Sequence, residues 1–136
     1  DLTIICDSLK GMWETDLDGK WFGAVEETQK WYRPYGNVYY NMGVAVINLA
    51  QMRKDGIEER MQWFLNNVPQ RFADQDAWNE YGIKQDKAVA LDVRWNECSA
   101  TGRTGNPAIV HYCGIKDWYT NGSMRRVEYL NQYRRE

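Results

Sequence analysis

Ile109-Val110-His111-Tyr112-Cys113-Gly114-Ile115-Lys116-Asp117-Trp118 is the stretch on which the reading of this chain turns. Residues 108–112 are apolar and β-rich, a short buried strand, and they carry the only histidine in the sequence. Open α/β sheets collect ligands just beyond their strand ends. There a neutral imidazole can take a divalent metal, a glycine admits backbone N–H groups to a phosphate, and a lysine ammonium neutralises phosphate charge. The same residues also suit a histidine that only closes a strand in a polar turn, and local sequence does not choose between the two.

Upstream, strand patterns alternate with helical ones. Residues 2–6, 21–25 and 38–47 read as strands, the last interrupted by Gly43, as happens where another backbone or a ligand comes close. Residues 48–54 read as a short helix. Asp55-Gly56-Ile57-Glu58 has the form of a capping box, opening a helix from Ile57 to about Asn67, where Pro69 stops it. Its apolar residues Ile57, Met61, Phe64 and Leu65 share one face. Residues 73–81 suggest a further helix, 88–91 another buried strand, 101–107 a loop, and 123–136 an amphipathic helix. The alternation predicts an α/β layer architecture.

Composition narrows the function classes. A chain of 136 residues is about one domain, with 43% hydrophobic and 26% charged residues, as in a globular rather than a disordered protein. Lys plus Arg number 17 against 19 for Asp plus Glu, a net charge of -2. That balance argues against binding nucleic acid or anionic membranes by bulk charge. The longest apolar run, residues 44–47, is far below the roughly 20 residues of a membrane span. Three cysteines, Cys6, Cys98 and Cys113, cannot all pair within the chain, and no Cys-x-x-Cys is present. A disulfide scaffold is not expected, and a reducing compartment is favoured. The aromatic fraction is 14%, with 7 Trp and 9 Tyr, more than packing needs; such rings also suit sugar faces. The chain starts at Asp1 inside a strand pattern, which suggests that an N-terminal part precedes it.

Two other segments can carry chemistry. In Tyr39-Tyr40-Asn41-Met42-Gly43-Val44 a polar Asn-x-Gly interrupts a hydrophobic strand, which is costly unless the Asn meets backbone at a bulge or a ligand. In Asp74-Gln75-Asp76, acidic residues of a first helical turn either serve backbone N–H groups or point into a sugar site. Asp1 and Asp7 flank the first strand, and Glu26 and Glu27 close the second. No Gly-x-Ser-x-Gly, Gly-x-Gly-x-x-Gly or P-loop occurs.

In order, these segments resemble the family 8 glycosyltransferases, the group containing glycogenin, lipopolysaccharide galactosyltransferases and several xylosyltransferases. Residues 1–7 with Leu9 and Trp13 are similar to the stretch starting at the second Asp of the family's Asp-x-Asp motif. Residues 40–44 with Asn48 and Arg53 resemble its Asn-Ser/Ala-Gly-Val segment. Residues 73–76 with Asn79 resemble its Asp-Gln-Asp box, and Trp95-Asn96 its strand-end Trp-Asn. His111-Tyr112-x-Gly114 with Lys116 and Trp118 is similar to its closing motif. Lys116 follows His111 by five positions where the family has six, and Asp117 replaces a proline.

The resemblance implies a GT-A (nucleotide-diphospho-sugar transferase, Rossmann-like) fold truncated at its N-terminus, with residues 1–136 as the C-terminal portion of one catalytic domain. It implies a retaining transfer of a hexose or pentose from a UDP-sugar to a saccharide, lipid-linked or protein acceptor. Mn2+ (or Mg2+) would be held by Asp1 and His111. Asn41, Gly43, Gly114 and Lys116 would address the donor and its diphosphate, and Asp74, Gln75 and Glu26 the reacting sugar. No nucleophile is assigned. The chain by itself is expected to bind UDP poorly and to turn over nothing. A non-catalytic carbohydrate-binding or degenerate homologue is the alternative. The compartment is open between a cytoplasm of bacterial or viral source and a Golgi lumen.

Overall fold

The computed structural model describes residues 2–27, 38–98 and 104–113. In chain order they form β1 (Leu2–Ile5), α1 (Lys10–Trp13), β2 (Phe22–Glu26), β3 (Tyr40–Ile47), α2 (Leu49–Asp55), α3 (Glu58–Asn67), α4 (Asp74–Lys84), β4 (Ala88–Leu91), a 3-10 turn (Val93–Trp95), β5 (Glu97–Cys98) and β6 (Ile109–Tyr112). The expected alternation of strands and helices is present. The short α1 and the two-residue β5 were not anticipated, because neither is long enough to show a period. The helix expected over residues 123–136 lies outside the described residues.

The strands form two three-stranded sheets, ordered β3-β2-β4 and β1-β6-β5. Each central strand pairs antiparallel on one side and parallel on the other. Apolar packing is concentrated on the first sheet. Trp21, Phe22, Ala24, Tyr40 and Ile57 form its buried cluster, flanked by Met52, Met61, Trp78 and Tyr81 from the helices. Phe22 stands edge-on to Tyr40 at 5.8 Å and to Trp78 at 5.5 Å, a favoured arrangement for ring quadrupoles. A glycine in the last turn of α4 makes this possible: a Cβ on Gly82 would lie 2.4 Å from the Phe22 ring. The second sheet has a smaller cluster of Ile4, Val110 and Tyr112.

The capping box expected at Asp55 does not form. Asp55 is the last residue of α2, and Gly56, in the left-handed region at φ 60°, ends that helix. Ile57 then heads α3 without a side-chain cap and is buried. The Asp55 carboxylate instead accepts from Trp21 Nε1 at 2.7 Å and Gln51 Nε2 at 2.8 Å and pairs with Lys87 at 3.0 Å. Tertiary partners outcompete a local cap here, since each brings a donor to a fixed carboxylate. Leu65, expected on the core face of α3, is exposed, while Ile57 and Phe64 are buried as read from the sequence. Of the aromatic excess, Trp21, Phe22, Tyr39, Tyr40 and Tyr112 are buried, whereas Trp13 is 80% exposed.

Candidate active site

The site is built on a bulge. Along β3 the register against β2 runs from Ile47 to Ala45 and then jumps to Asn41, so Met42, Gly43 and Val44 leave the ladder. Side-chain amides from α4 take over where backbone pairing stops. Asn79 accepts from the Tyr40 N–H at 2.6 Å and donates to the Tyr40 carbonyl at 2.8 Å, as a neighbouring strand would. Gln75 Oε1 accepts from the Met42 N–H at 2.9 Å. The polar Asn-x-Gly has its own backbone partner as well: Asn41 Oδ1 accepts from the Gly43 N–H at 2.9 Å.

The start of α4 is set by Asp76, which is 1% exposed. Its carboxylate accepts from the N–H groups of Arg71 at 2.7 Å and Phe72 at 3.0 Å and from the Tyr39 hydroxyl at 2.5 Å. Ala73 is held at φ 49° just ahead of the helix, a strained conformation for a residue with a side chain. Asp74 is exposed at the first helical position, and Gln75 is half-buried beside it.

His111 reaches this bulge from the other sheet. Its ring is 2% exposed and lies against Gly43, where a Cβ would sit 2.0 Å from Cε1 and 2.8 Å from each ring nitrogen. Only a glycine at position 43 leaves room for the imidazole, so what comes close is a side chain, where the interrupted strand suggested another backbone or a ligand. His111 Nδ1 lies 2.9 Å from Asn96 Oδ1. Asn96 Nδ2 lies 2.9 Å from Asn41 Oδ1, and Asn41 Nδ2 lies 3.0 Å from Glu27 Oε2. On β6, His111 is registered opposite Thr3 of β1 and beside Cys98 of β5.

The structure therefore brings together Asn41, Gly43, Gln75 and His111, with Asp74 adjoining. Glu26 closes β2 as an exposed residue opposite Tyr40, whereas its neighbour Glu27 joins the amide line. Asp1, Gly114 and Lys116 lie outside the described residues. Asn96 and Glu27 were legible only as a motif member and as one of a carboxylate pair. Asp7 is engaged by Ser8 N–H at 2.7 Å and Arg94 at 2.6 Å, which together hold its carboxyl below the usual range. The Cys98 and Cys113 sulfurs are 3.1 Å apart; that contact, with burial, pushes the Cys113 thiol up and away from a reactive thiolate. Among the described residues no group of three or more His, Cys, Asp or Glu side chains could hold a metal ion. A cleft of about 370 Å³ at the far end of β3, lined by Trp13, Asp16, Ile47 and Leu49 among others, shares no residue with the site.

The description Glycosyl transferase family 8 matches residues 1–122. The chain belongs to glycosyl transferase family 8. General stress protein A of Bacillus subtilis (strain 168) is 30% identical over 146 aligned positions, covering 87% of this family 8 chain and 50% of the relative. The galactosyltransferase LgtC, solved in complex with donor and acceptor sugar analogues, superposes with a TM-score of 0.73 at 24% identity, over 96% of this chain and 56% of LgtC. The glycosyltransferase GlyE of Streptococcus pneumoniae TIGR4 superposes with a TM-score of 0.75 at 19% identity, over 96% of this chain and 36% of GlyE. The fold is thus that of the GT-A glycosyltransferases. The chain spans about half the length of the curated relative it matches. Among the described residues no helix is long and apolar enough to cross a membrane.

Proposed function

We propose that this chain is the C-terminal part of the catalytic domain of a retaining glycosyltransferase that moves a hexose or pentose from a UDP-sugar to a hydroxyl acceptor. The observation that carries the reading is the seating of a buried imidazole on the β3 bulge, with Gln75 bonded to that bulge one residue away. A buried neutral histidine bonded to an amide through one ring nitrogen suits a divalent cation as one ligand among several. Thr3 is registered opposite it, and Asp1, two positions before Thr3 in the sequence, is the carboxylate that the family resemblance supplies. His111 and Asp1 are the ligands this chain would supply.

A bound Mn2+ would stabilise negative charge on the diphosphate of the departing UDP. Lys116 and the backbone at Gly114 serve that diphosphate. Asn41 and Gln75 hold the bulge in shape and, with Asp74 and Glu26, face the donor sugar. Catalysis belongs to the full-length protein that includes the nucleotide-binding half.

The test is UDP release from a panel of UDP-sugars by the full-length protein, with and without Mn2+, beside its His111→Ala variant. Release from one sugar that needs both the metal and His111 is the expected result. Retained UDP binding without release from any sugar would favour the alternative, a non-catalytic sugar-binding homologue. The displaced lysine and the Asp117 that stands for proline in the closing motif are the features on that side.

A further inference from the structure

Two backbone groups orient a chain of amides that ends on His111. A backbone N–H only donates, so the Asn41 atom 2.9 Å from the Gly43 nitrogen is the acceptor Oδ1. Its Nδ2 then faces Glu27 Oε2 at 3.0 Å, and a carboxylate oxygen only accepts. A backbone carbonyl also only accepts, so the Asn96 atom 3.4 Å from the Asn41 carbonyl is Nδ2. The same Nδ2 lies 2.9 Å from Asn41 Oδ1. Both amide orientations thereby follow from fixed backbone partners.

One consequence reaches the imidazole. Asn96 turns Oδ1 toward His111 Nδ1 at 2.9 Å, and an amide oxygen cannot donate. That bond needs its hydrogen on Nδ1, so in the neutral ring Nε2 carries the lone pair. We propose that Asn96, itself oriented by Asn41, is a positioning residue that holds His111 in the Nδ1–H tautomer and makes Nε2 the ring's ligating atom. Its relevance to catalysis rests on the reading above, that His111 takes a divalent cation.

Three features make the arrangement more than a passing contact. His111 and Asn96 are 2% and 4% exposed, so water does not compete for the bond, and a flipped Asn96 amide would set its oxygen against the two Asn41 oxygens, acceptor to acceptor. Gly43 fixes where the ring lies, its Cβ position being filled by Cε1, while Asn96 fixes which nitrogen holds the proton. The line of donors runs in one direction, from Nδ1 through two amides to the Glu27 carboxylate. Each bond polarises the next, and the negative end strengthens Asn96 Oδ1 as an acceptor and Nε2 as a metal donor.

The experiment is ring-15N NMR of the full-length, metal-free protein at a pH where the ring is neutral. The His111 resonances are assigned by their absence from a His111→Gln spectrum. A protonated Nδ1 and an unprotonated Nε2 are expected in the wild type. In Asn96→Leu, the free-histidine preference for Nε2–H should reappear, and Mn2+ affinity measured by EPR should fall about 10- to 100-fold. Asn96→Asp keeps an acceptor facing Nδ1 and should retain the wild-type tautomer. A wild-type ring protonated at Nε2 would overturn the proposal, and needs no variant to fold. An unchanged tautomer in folded Asn96→Leu would overturn it equally. A locked tautomer, lost in Asn96→Leu, in a protein that never binds Mn2+ would uphold Asn96 as the tautomer's determinant and sink the metal reading instead.

Discussion

The two sheets of this chain are held together by different forces. The β3-β2-β4 sheet is buried under helices through large rings, with Phe22 packed between Tyr40, Trp78 and the backbone of Gly82. Among the described residues the β1-β6-β5 sheet contributes Ile4, Val110 and Tyr112 to a smaller apolar cluster, and where it meets β3 hydrogen bonds run through Asn96, Asn41 and His111. Apolar burial is strong but indifferent to direction, whereas hydrogen bonds are weaker in net terms and strict about geometry. The first sheet acts as a platform, and the candidate site lies on the seam, where orientation matters more than buried area.

The contrast is broken most directly by cutting into each cluster. Phe22→Ala should lower stability by about 3–5 kcal/mol, seen as a shifted urea midpoint. An equal loss on Ile4→Ala would show that the second sheet is no less dependent on apolar packing than the first. Next in size are the two close-approach glycines. Gly82→Ala drives a methyl into the Phe22 ring and should cost about 1–3 kcal/mol, while leaving the His111 ring resonances in place. Gly43→Ala should cost a similar amount but move those resonances and abolish the Mn2+ dependence of UDP release. Should both substitutions perturb His111 alike, platform and seam are one unit.

Smaller effects sharpen the picture. Asn79→Ala strips the bulge of its substitute ladder and leaves Tyr40 backbone groups unsatisfied, with an expected loss of about 1–3 kcal/mol by thermal melting. Asp55 gives the mildest test and a pH signature. Bonds from Gln51, Trp21 and Lys87 hold its carboxyl at about 2, below the ordinary 3.8. Its folded-state pKa is depressed, so its stabilisation is present above the ordinary carboxylate pKa and is lost as pH falls toward about 2. Asp55→Asn should therefore trail the wild type in urea midpoint near neutrality and converge with it in acid. A constant gap across that range would mean that the carboxylate's charge contributes nothing.

Much of the platform was legible in sequence, and less of the seam. The strands around Trp21 and Ala88 and the helix after Ile57 announce themselves by local period and composition. The fate of Asp55 does not, because a capping motif is a statement about four neighbouring residues and its real partner Trp21 is 34 positions away. Glu26 and Glu27 are interchangeable as letters; strand pairing alone made Glu26 exposed and turned Glu27 toward Asn41.

By itself the sequence determined the alternation of elements, the family, and that His111 is the one imidazole in the chain, since periodicity, motif order and composition are properties of a linear chain. Only the tertiary structure decided that three residues of β3 bulge out, that Gly43 is a seat for a ring, and that Asn96 faces His111 while holding Asn41. Those contacts join residues 15 and 55 positions apart, and a hydrogen bond depends on distance and direction in space, which no local pattern encodes.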